Sequence, residues 1–95
     1  MSEPLPVVRH NAAAHRYELA ADGDVAVAEY QIDGHTITFT HTWVPPALRG
    51  RGLAEQLVRQ ALDDARADAR RVVPQCSYVA RFISRHPGYQ SLVDA

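Results

Sequence analysis

The sequence predicts a single α+β domain in which three antiparallel strands are followed by a helix, a fourth strand and a second helix. Two observations support this prediction. The first half alternates apolar and polar residues around two Asp-Gly pairs, whereas apolar residues in the second half recur at helical spacing. A chain of 95 residues allows one domain, residues 1–95, with one modest core. Residues 1–6 contain two prolines, and we expect them to fray as a leader.

The Asp-Gly pairs divide the first half of the chain into strands. Asp22-Gly23 follows the strand candidate Arg16–Leu19, and Asp33-Gly34 follows Val25–Ile32. Asp-Gly suits a two-residue hairpin turn, because both residues tolerate the positive φ angles that a type I′ turn requires. The pairs therefore predict an antiparallel meander with positive φ at both central positions of each turn.

The third strand, His35–Val44, has the clearest pattern, because a threonine stands at every second position from 36 to 42. Strict alternation would place the threonines on one face of the sheet. The residues expected on the other, mostly apolar face are Ile37, Phe39, His41 and Trp43. We expect helices to cover that face. Pro45-Pro46 ends the strand, since proline donates no ladder hydrogen bond.

Helical spacing predicts the two helices. The first runs from Gly52 to about Ala69, with an inward face formed by Leu53, Leu57, Ala61, Leu62 and Ala65. The second runs from Ser77 to His86, with an inward face formed by Tyr78, Val79, Phe82 and Ile83. Arg71–Pro74, between the helices, is a short strand candidate that its own proline ends.

The loop before the first helix has an unusual charge pattern, Arg49-Gly50-Arg51-Gly52-Leu53-Ala54. Glycine and arginine stand where Ser, Thr or Asp usually caps a helix. A cation beside the positive end of a helix dipole is unfavourable by about 0.3–1 kcal/mol, and a bound anion removes this conflict. Free amides, dipole and guanidiniums together predict a phosphate site. A solvated Arg-Gly turn is the alternative interpretation.

The motif Arg49-x-x-Gly52-x-Ala54 resembles the Gln/Arg-x-x-Gly-x-Gly/Ala pyrophosphate loop of the GCN5-related N-acetyltransferases (GNAT). The similarity extends over nearly the whole chain, most clearly in His41-Thr42-Trp43-Val44-Pro45-Pro46, Val73-Pro74-Gln75-Cys76 and His86-Pro87-Gly88-Tyr89. It points to a compact, single-domain branch of the superfamily. The resemblance implies a minimal GNAT fold, in which a mostly antiparallel sheet contains one splayed parallel strand pair.

The resemblance also implies an N-acetyltransferase with acetyl-CoA, or coenzyme A, as its substrate. The pyrophosphate would lie on the amides of the loop, whose residues are Arg49, Gly50, Arg51, Gly52, Leu53 and Ala54. The pantetheine arm would follow Trp43 and Val44 and enter a wedge between their strand and Arg71–Val73. The thioester would then lie near His41 and Cys76, and the amine would attack it directly.

Two residues are candidates for the chemistry. The His41 imidazole can take the proton of the acceptor ammonium, or it is a core histidine bonded to a carbonyl. Cys76 precedes a helix, where a thiol ionises more readily. It can receive the acetyl group, donate a proton to the departing thiolate, or pack as a small hydrophobe. Tyr89 is either an acid or a packing residue, and Glu29 and Tyr30 are interpreted as cross-strand partners.

Composition excludes several other functions. A net charge of −1 does not provide the broad basic surface of a nucleic-acid-binding protein. The apolar runs are too short to cross a membrane, and residues 1–6 resemble no secretory signal, so we expect no membrane partner and a cytoplasmic location. Cys76 is the single cysteine, and no histidine spacing suggests a metal, so no metal is expected.

The acceptor and the catalytic competence stay open at this stage. Protein lysine, an N-terminus, a polyamine and a small metabolite are all compatible acceptors. A non-catalytic module that binds coenzyme A or acyl-CoA is the alternative to an enzyme, since both need the residues from Arg49 to Ala54. The oligomeric state is open as well, and a monomer is compatible with the sequence.

Overall fold

The computed structural model describes residues 7–94, with side chains described for residues 7–93. The expected leader, residues 1–6, lies outside this range. The described elements are β1 (Val8–Asn11), β2 (Arg16–Ala21), β3 (Asp24–Asp33), β4 (Thr36–Trp43), α1 (Leu53–Ala67), β5 (Arg71–Pro74), α2 (Ser77–Arg85) and α3 (Gln90–Asp94). The predicted α+β class is confirmed. The short elements β1 and α3 are additions that the sequence pattern did not indicate.

The five strands form one sheet in the order β1-β2-β3-β4-β5. All neighbours are antiparallel except β4 and β5, which pair in parallel. The first hairpin turn is as predicted, with positive φ at Asp22 (51°) and Gly23 (83°). The prediction for the second turn was wrong: Asp33 stays in the ladder opposite Thr36, and of the residues between them only Gly34 has positive φ.

Both long helices pack on the same face of the sheet. The five residues predicted to face inward from α1 are all buried, and so is Val58. On α2, Val79, Phe82 and Ile83 are buried, but Tyr78 is 36% exposed, so its predicted inward position was wrong. The alternating buried residues of the strands all join this single core. The opposite face of the sheet carries no helix among residues 7–94, and we call it the open face.

A β-bulge in β4 changes the predicted alternation. Glu29 pairs with His41 and Tyr30 pairs with Phe39, so Thr40 is an extra residue without a partner on β3. Beyond the bulge, Thr42 shares the helix-covered face with Phe39, whereas His41 points to the open face. The prediction that His41 and Trp43 share a face with Ile37 and Phe39 was therefore wrong. The His41 side chain is 76% exposed.

Within residues 7–94, no helix combines the length and the apolar composition that crossing a bilayer requires. The same part of the chain contains no group of three His, Cys, Asp or Glu residues placed to hold a metal ion.

Candidate functional site

The loop before α1 depends on two glycines with left-handed backbone. Gly50 has φ 81°, and Gly52, which occupies the N-cap position of α1, has φ 73°. A Cβ at either position would meet no atom within 4 Å, so internal packing does not require glycine there. The backbone conformation does, because other residues rarely adopt it. Gly52 has no side chain to cap the helix, which leaves amides of the first turn of α1 without that partner.

The two arginines of the loop contact neighbouring groups. The Nε of Arg49 donates to the carbonyl oxygen of Val44 at 3.0 Å, and its guanidinium lies 5.0 Å from the ring centroid of Trp43. Arg51 forms an ion pair with Asp22 in the turn between β2 and β3. The expected charge conflict at the start of α1 is thus reduced by one carboxylate. Of the two loop arginines, Arg49 has no ion pair with a carboxylate of residues 7–93.

A groove of about 540 Å³ starts at this loop. The end of β4 forms one side of it, and the first turn of α1 and Tyr78 of α2 form the other. It is lined by Thr42, Trp43, Val44, Leu48, Arg49, Gly50, Gly52, Leu53, Ala54, Glu55 and Tyr78. Most residues expected to contact coenzyme A are therefore brought together here. Arg51 and Cys76 are not among the lining residues.

The groove ends where β4 and β5 separate. The parallel pairing runs from Thr36 and Arg71 to Phe39 and Pro74, and Cys76 N–H then donates to the Phe39 carbonyl at 2.8 Å. From there β4 continues to Trp43, whereas the segment after β5 leads into α2. The wedge therefore opens beyond Pro74. Thr42 and Cys76 meet at this point, with 3.5 Å between Oγ1 and Sγ.

The Cys76 thiol is half-buried at the start of α2. Burial by itself would raise its pKa. The thiol donates to the Thr42 hydroxyl oxygen, and in the thiolate the same hydroxyl and the backbone of Val79 and Tyr78 donate to sulfur. These hydrogen bonds outweigh burial, and the net result is a lowered pKa. These donors stabilise the thiolate in the way that helix N-termini stabilise anions. A thiol of lowered pKa is a better proton donor and a more abundant nucleophile than an ordinary cysteine.

His41 lies on the other side of the sheet. Its Nδ1 is 3.9 Å from Oε1 of Glu29, its partner across the ladder. Both residues line a hollow of about 340 Å³, together with Ala14, His15, Tyr30, Gln31 and Thr40. The bulge thus presents two adjacent β4 residues to two different sites: His41 to the hollow and Thr42 to the wedge.

Sequence reasoning missed Thr42 and undervalued Glu29. Thr42 was assigned to the threonine face, and only the bulge brings it to Cys76. Glu29 was interpreted as a cross-strand partner, which it is, but the partner is the candidate base His41. For Tyr89, the packing interpretation is the better one: it is buried, and its hydroxyl donates to Asp63 at 2.7 Å.

Comparisons with known proteins identify the family. The family model of the GCN5-related N-acetyl-transferases matches residues 16–92. The chain is 34% identical to Protein NATD1 of Bos taurus over 83 residues, which cover 84% of this chain and 74% of the bovine protein. The human NATD1 is 31% identical over 83 residues, which cover 84% of this chain and 74% of the human protein. The Xenopus tropicalis NATD1 is 30% identical over 83 residues, which cover 84% of this chain and 76% of the Xenopus protein.

One solved structure shows the same fold. The solution NMR structure of a GCN5-like protein from Staphylococcus aureus superposes with a TM-score of 0.72 and covers 90% of this chain and 85% of its own. Its sequence is 20% identical, so this likeness concerns the fold alone. The family model spans most of the described chain, including the loop, the wedge and both long helices. The chain therefore belongs to the GCN5-related N-acetyltransferase family.

Proposed function

We propose that this protein binds acetyl-CoA in the groove and transfers the acetyl group to an amine by direct attack. One observation carries the proposal. A single groove joins the uncapped start of α1, next to Arg49, to the wedge where Thr42 meets Cys76. An anion site at one end and a thiol with hydrogen-bond donors at the other fit a ligand with phosphates at one end and a thioester at the other.

The loop end of the groove has the features that pyrophosphate binding needs. Free amides at a helix N-terminus and the helix dipole favour an anion. Arg49 adds a guanidinium that is already held by Val44 and Trp43, so less side-chain entropy is lost when it binds a phosphate. The Gly50 and Gly52 surfaces carry no side chain, which permits close approach of a phosphate to the backbone.

The transfer step requires three proton transfers, and the proton that His41 takes is finally released to solvent. The acceptor ammonium first loses one proton, which we assign to His41. The nitrogen lone pair then forms a bond to the thioester carbonyl carbon, and the carbon–sulfur bond breaks with its electron pair on sulfur. Cys76 protonates the departing thiolate and regains a proton from the amide nitrogen through solvent. General acid and base catalysis of this kind contributes about 10²–10⁴-fold each.

This assignment places the base and the acid on opposite faces of the sheet. Thr42 and Cys76 lie at the wedge on the helix-covered face, and His41 lies on the open face. The amine would then reach the carbonyl from the open face while the coenzyme occupies the groove. Such an arrangement keeps the two substrates in one complex without competition for the same cavity.

The experiment combines coenzyme binding with turnover. Coenzyme A should raise the melting temperature, because it binds the folded state only. His41→Gln should keep that shift and lower turnover on an amine panel about 10²-fold. His35→Gln, which changes an exposed histidine in the turn between β3 and β4, is the matched control and should leave both unchanged.

Cys76→Ala separates direct transfer from a covalent route. Direct attack predicts measurable transfer by this variant, because the amine never needs an acetyl group on cysteine. Intact mass after short incubation with acetyl-CoA, followed by hydroxylamine, supplies the second measurement. A hydroxylamine-labile acetyl adduct on Cys76 that passes to an added amine would overturn the direct mechanism.

A second candidate, a non-catalytic coenzyme A-binding module, is favoured by one observation. The His41 imidazole has no hydrogen bond to any residue in the described range, and its nearest carboxylate oxygen is 3.9 Å away. A module of this kind would show the same coenzyme-induced rise in melting temperature. It would turn over no amine, and the His41→Gln variant would behave like the unmodified protein in every assay.

A further inference from the structure

Glu29 lies in the hollow at the β4 bulge with its charge largely uncompensated. Arg16 is its partner across the β2–β3 ladder, but the Arg16 Nε bonds to Glu18 at 2.6 Å instead. Among residues 7–94, the basic nitrogen within 4.0 Å of the Glu29 carboxylate is that of His41, at 3.9 Å. The Glu29 side chain is 45% exposed, so its carboxylate is open to an external cation.

The rest of the hollow is suited to a hydrogen-bond donor. Its side chains include the oxygen acceptors of Gln31, Thr40 and Glu29, and no Arg or Lys is among its lining residues. The Thr40 hydroxyl already donates to the Glu29 carbonyl at 3.3 Å, so its oxygen is left to act as an acceptor. A primary ammonium, with three donors and a positive charge, matches this set.

We propose that the hollow binds the acceptor as a primary ammonium at the end of an unbranched aliphatic arm, with Glu29 as the residue that recognises its charge. The inference rests on the proposed transfer to an amine. His41 borders the same hollow, so an ammonium bound by Glu29 lies beside the base that takes its proton. Ala14 and His15 also line the hollow and are available to contact the arm.

The same charge excludes one class of amine. A free α-amino acid carries a carboxylate one carbon from its amine, and binding would bring this carboxylate close to Glu29. Like charges in one partly exposed site repel each other. The hollow therefore selects lysine side chains and polyamines over the α-amines of free amino acids. Both accepted sources share the chemistry of an alkylammonium arm.

The test is a titration of the protein with butylammonium chloride, followed by backbone amide shifts in NMR. We expect shifts centred on residues 29–31 and 40–41, and about ten-fold weaker binding to Glu29→Gln, the scale of a charged hydrogen bond. Asp33→Asn is the matched control, because it removes a carboxylate from the same strand and face outside the hollow. Norleucine, whose amine adjoins a carboxylate, should bind far more weakly than butylammonium.

Spermidine and Nα-acetyl-lysine methylamide distinguish the two sources of an alkylammonium arm, a polyamine and a lysine side chain. Stronger binding of either one, with the same dependence on Glu29, identifies the source and supports the site. Equal affinity of butylammonium for the unmodified protein and for Glu29→Gln overturns the inference, as do shifts that lie outside the hollow. Coenzyme A binding is measured separately by melting temperature. A coenzyme shift without amine binding refutes only this inference, whereas the loss of the coenzyme shift refutes the proposed function.

Discussion

The Arg51 guanidinium is paired with the Asp22 carboxylate, which ties the turn between β2 and β3 to the loop before α1. Asp22 brings a negative charge to the place where we propose that pyrophosphate binds. The pair is largely exposed, with 43% of the Arg51 side chain and 66% of the Asp22 side chain accessible. An incoming phosphate therefore competes with Asp22 for Arg51.

Asp22→Asn should tighten coenzyme A binding about two- to five-fold, the scale of an exposed ion pair. Asparagine tolerates the positive φ of this position, so the turn should be retained. Calorimetric titration at low and high salt measures the effect, which should shrink as salt screens the charges. Asp24→Asn, at the other end of the turn, is the control. Weaker binding by Asp22→Asn would show that the carboxylate positions Arg51 for the ligand.

Arg49→Ala and Arg51→Ala should weaken coenzyme A more than pantetheine, because guanidiniums bind phosphates and pantetheine has none. The loss should be greater for Arg49, since Arg51 shares its charge with Asp22. Competition binding with both ligands measures the ratio. Arg71→Ala removes an exposed arginine of β5 and should change neither affinity. Equal losses for the two ligands would contradict the proposed position of the phosphates.

Gly52→Val should abolish the rise in melting temperature that coenzyme A causes, because a side chain at this position blocks approach to the backbone. Positive φ at Gly52 means that valine also costs stability by itself. Gly34→Val controls for this cost, since Gly34 has positive φ and open space around its Cβ position but lies in the turn between β3 and β4. It should be destabilised and still respond to coenzyme A. An unchanged response in Gly52→Val would place the ligand elsewhere.

Alkylation should detect the lowered pKa of Cys76. A lowered pKa means more thiolate at a given pH, so the midpoint of the rate of iodoacetamide labelling should lie below that of an unperturbed cysteine measured in the same buffer. Thr42→Val removes a hydroxyl that stabilises the thiolate and should move the midpoint upward. The single cysteine makes the labelling specific. A midpoint above that of a free cysteine would mean that burial outweighs the hydrogen bonds.

The stability of the fold should fall at alkaline pH because of Tyr17. Burial raises the pKa of Tyr17, and so does its hydrogen bond to Asp64 at 2.8 Å. In the unfolded chain Tyr17 ionises at the ordinary tyrosine pKa. Its contribution to the free energy of unfolding is therefore complete below about pH 10 and is lost as the pH rises further. Urea unfolding at about pH 8 and about pH 11 measures it. Tyr17→Phe should reduce the decrease without abolishing it, because the pKa of Tyr30 is raised as well.

Local patterns in the sequence were sufficient for most of the framework. The Asp22-Gly23 turn, the inward face of α1 and the strand Arg71–Pro74 depend on φ preferences and apolar spacing within a few residues. The glycine-arginine loop was also recognisable, because its residue types contradict the usual helix cap. Among the groove residues, Arg49, Gly50, Gly52, Leu53 and Ala54 belong to this loop, and Trp43 and Val44 were expected from the family resemblance. Leu48, Thr42, Glu55 and Tyr78 were not predicted. Arg51 was predicted to contact the ligand but pairs with Asp22, which is distant in the chain.

The sequence by itself determined the order of the longer elements and the position of the glycine-arginine loop before α1, because backbone propensity and periodicity are properties of short segments. Only the tertiary structure decided which face His41 and Thr42 occupy. A bulge arises from the match between two paired strands, and one extra residue at Thr40 reverses the alternation for everything that follows. That reversal pairs Thr42 with Cys76 at the wedge and His41 with Glu29 in the hollow.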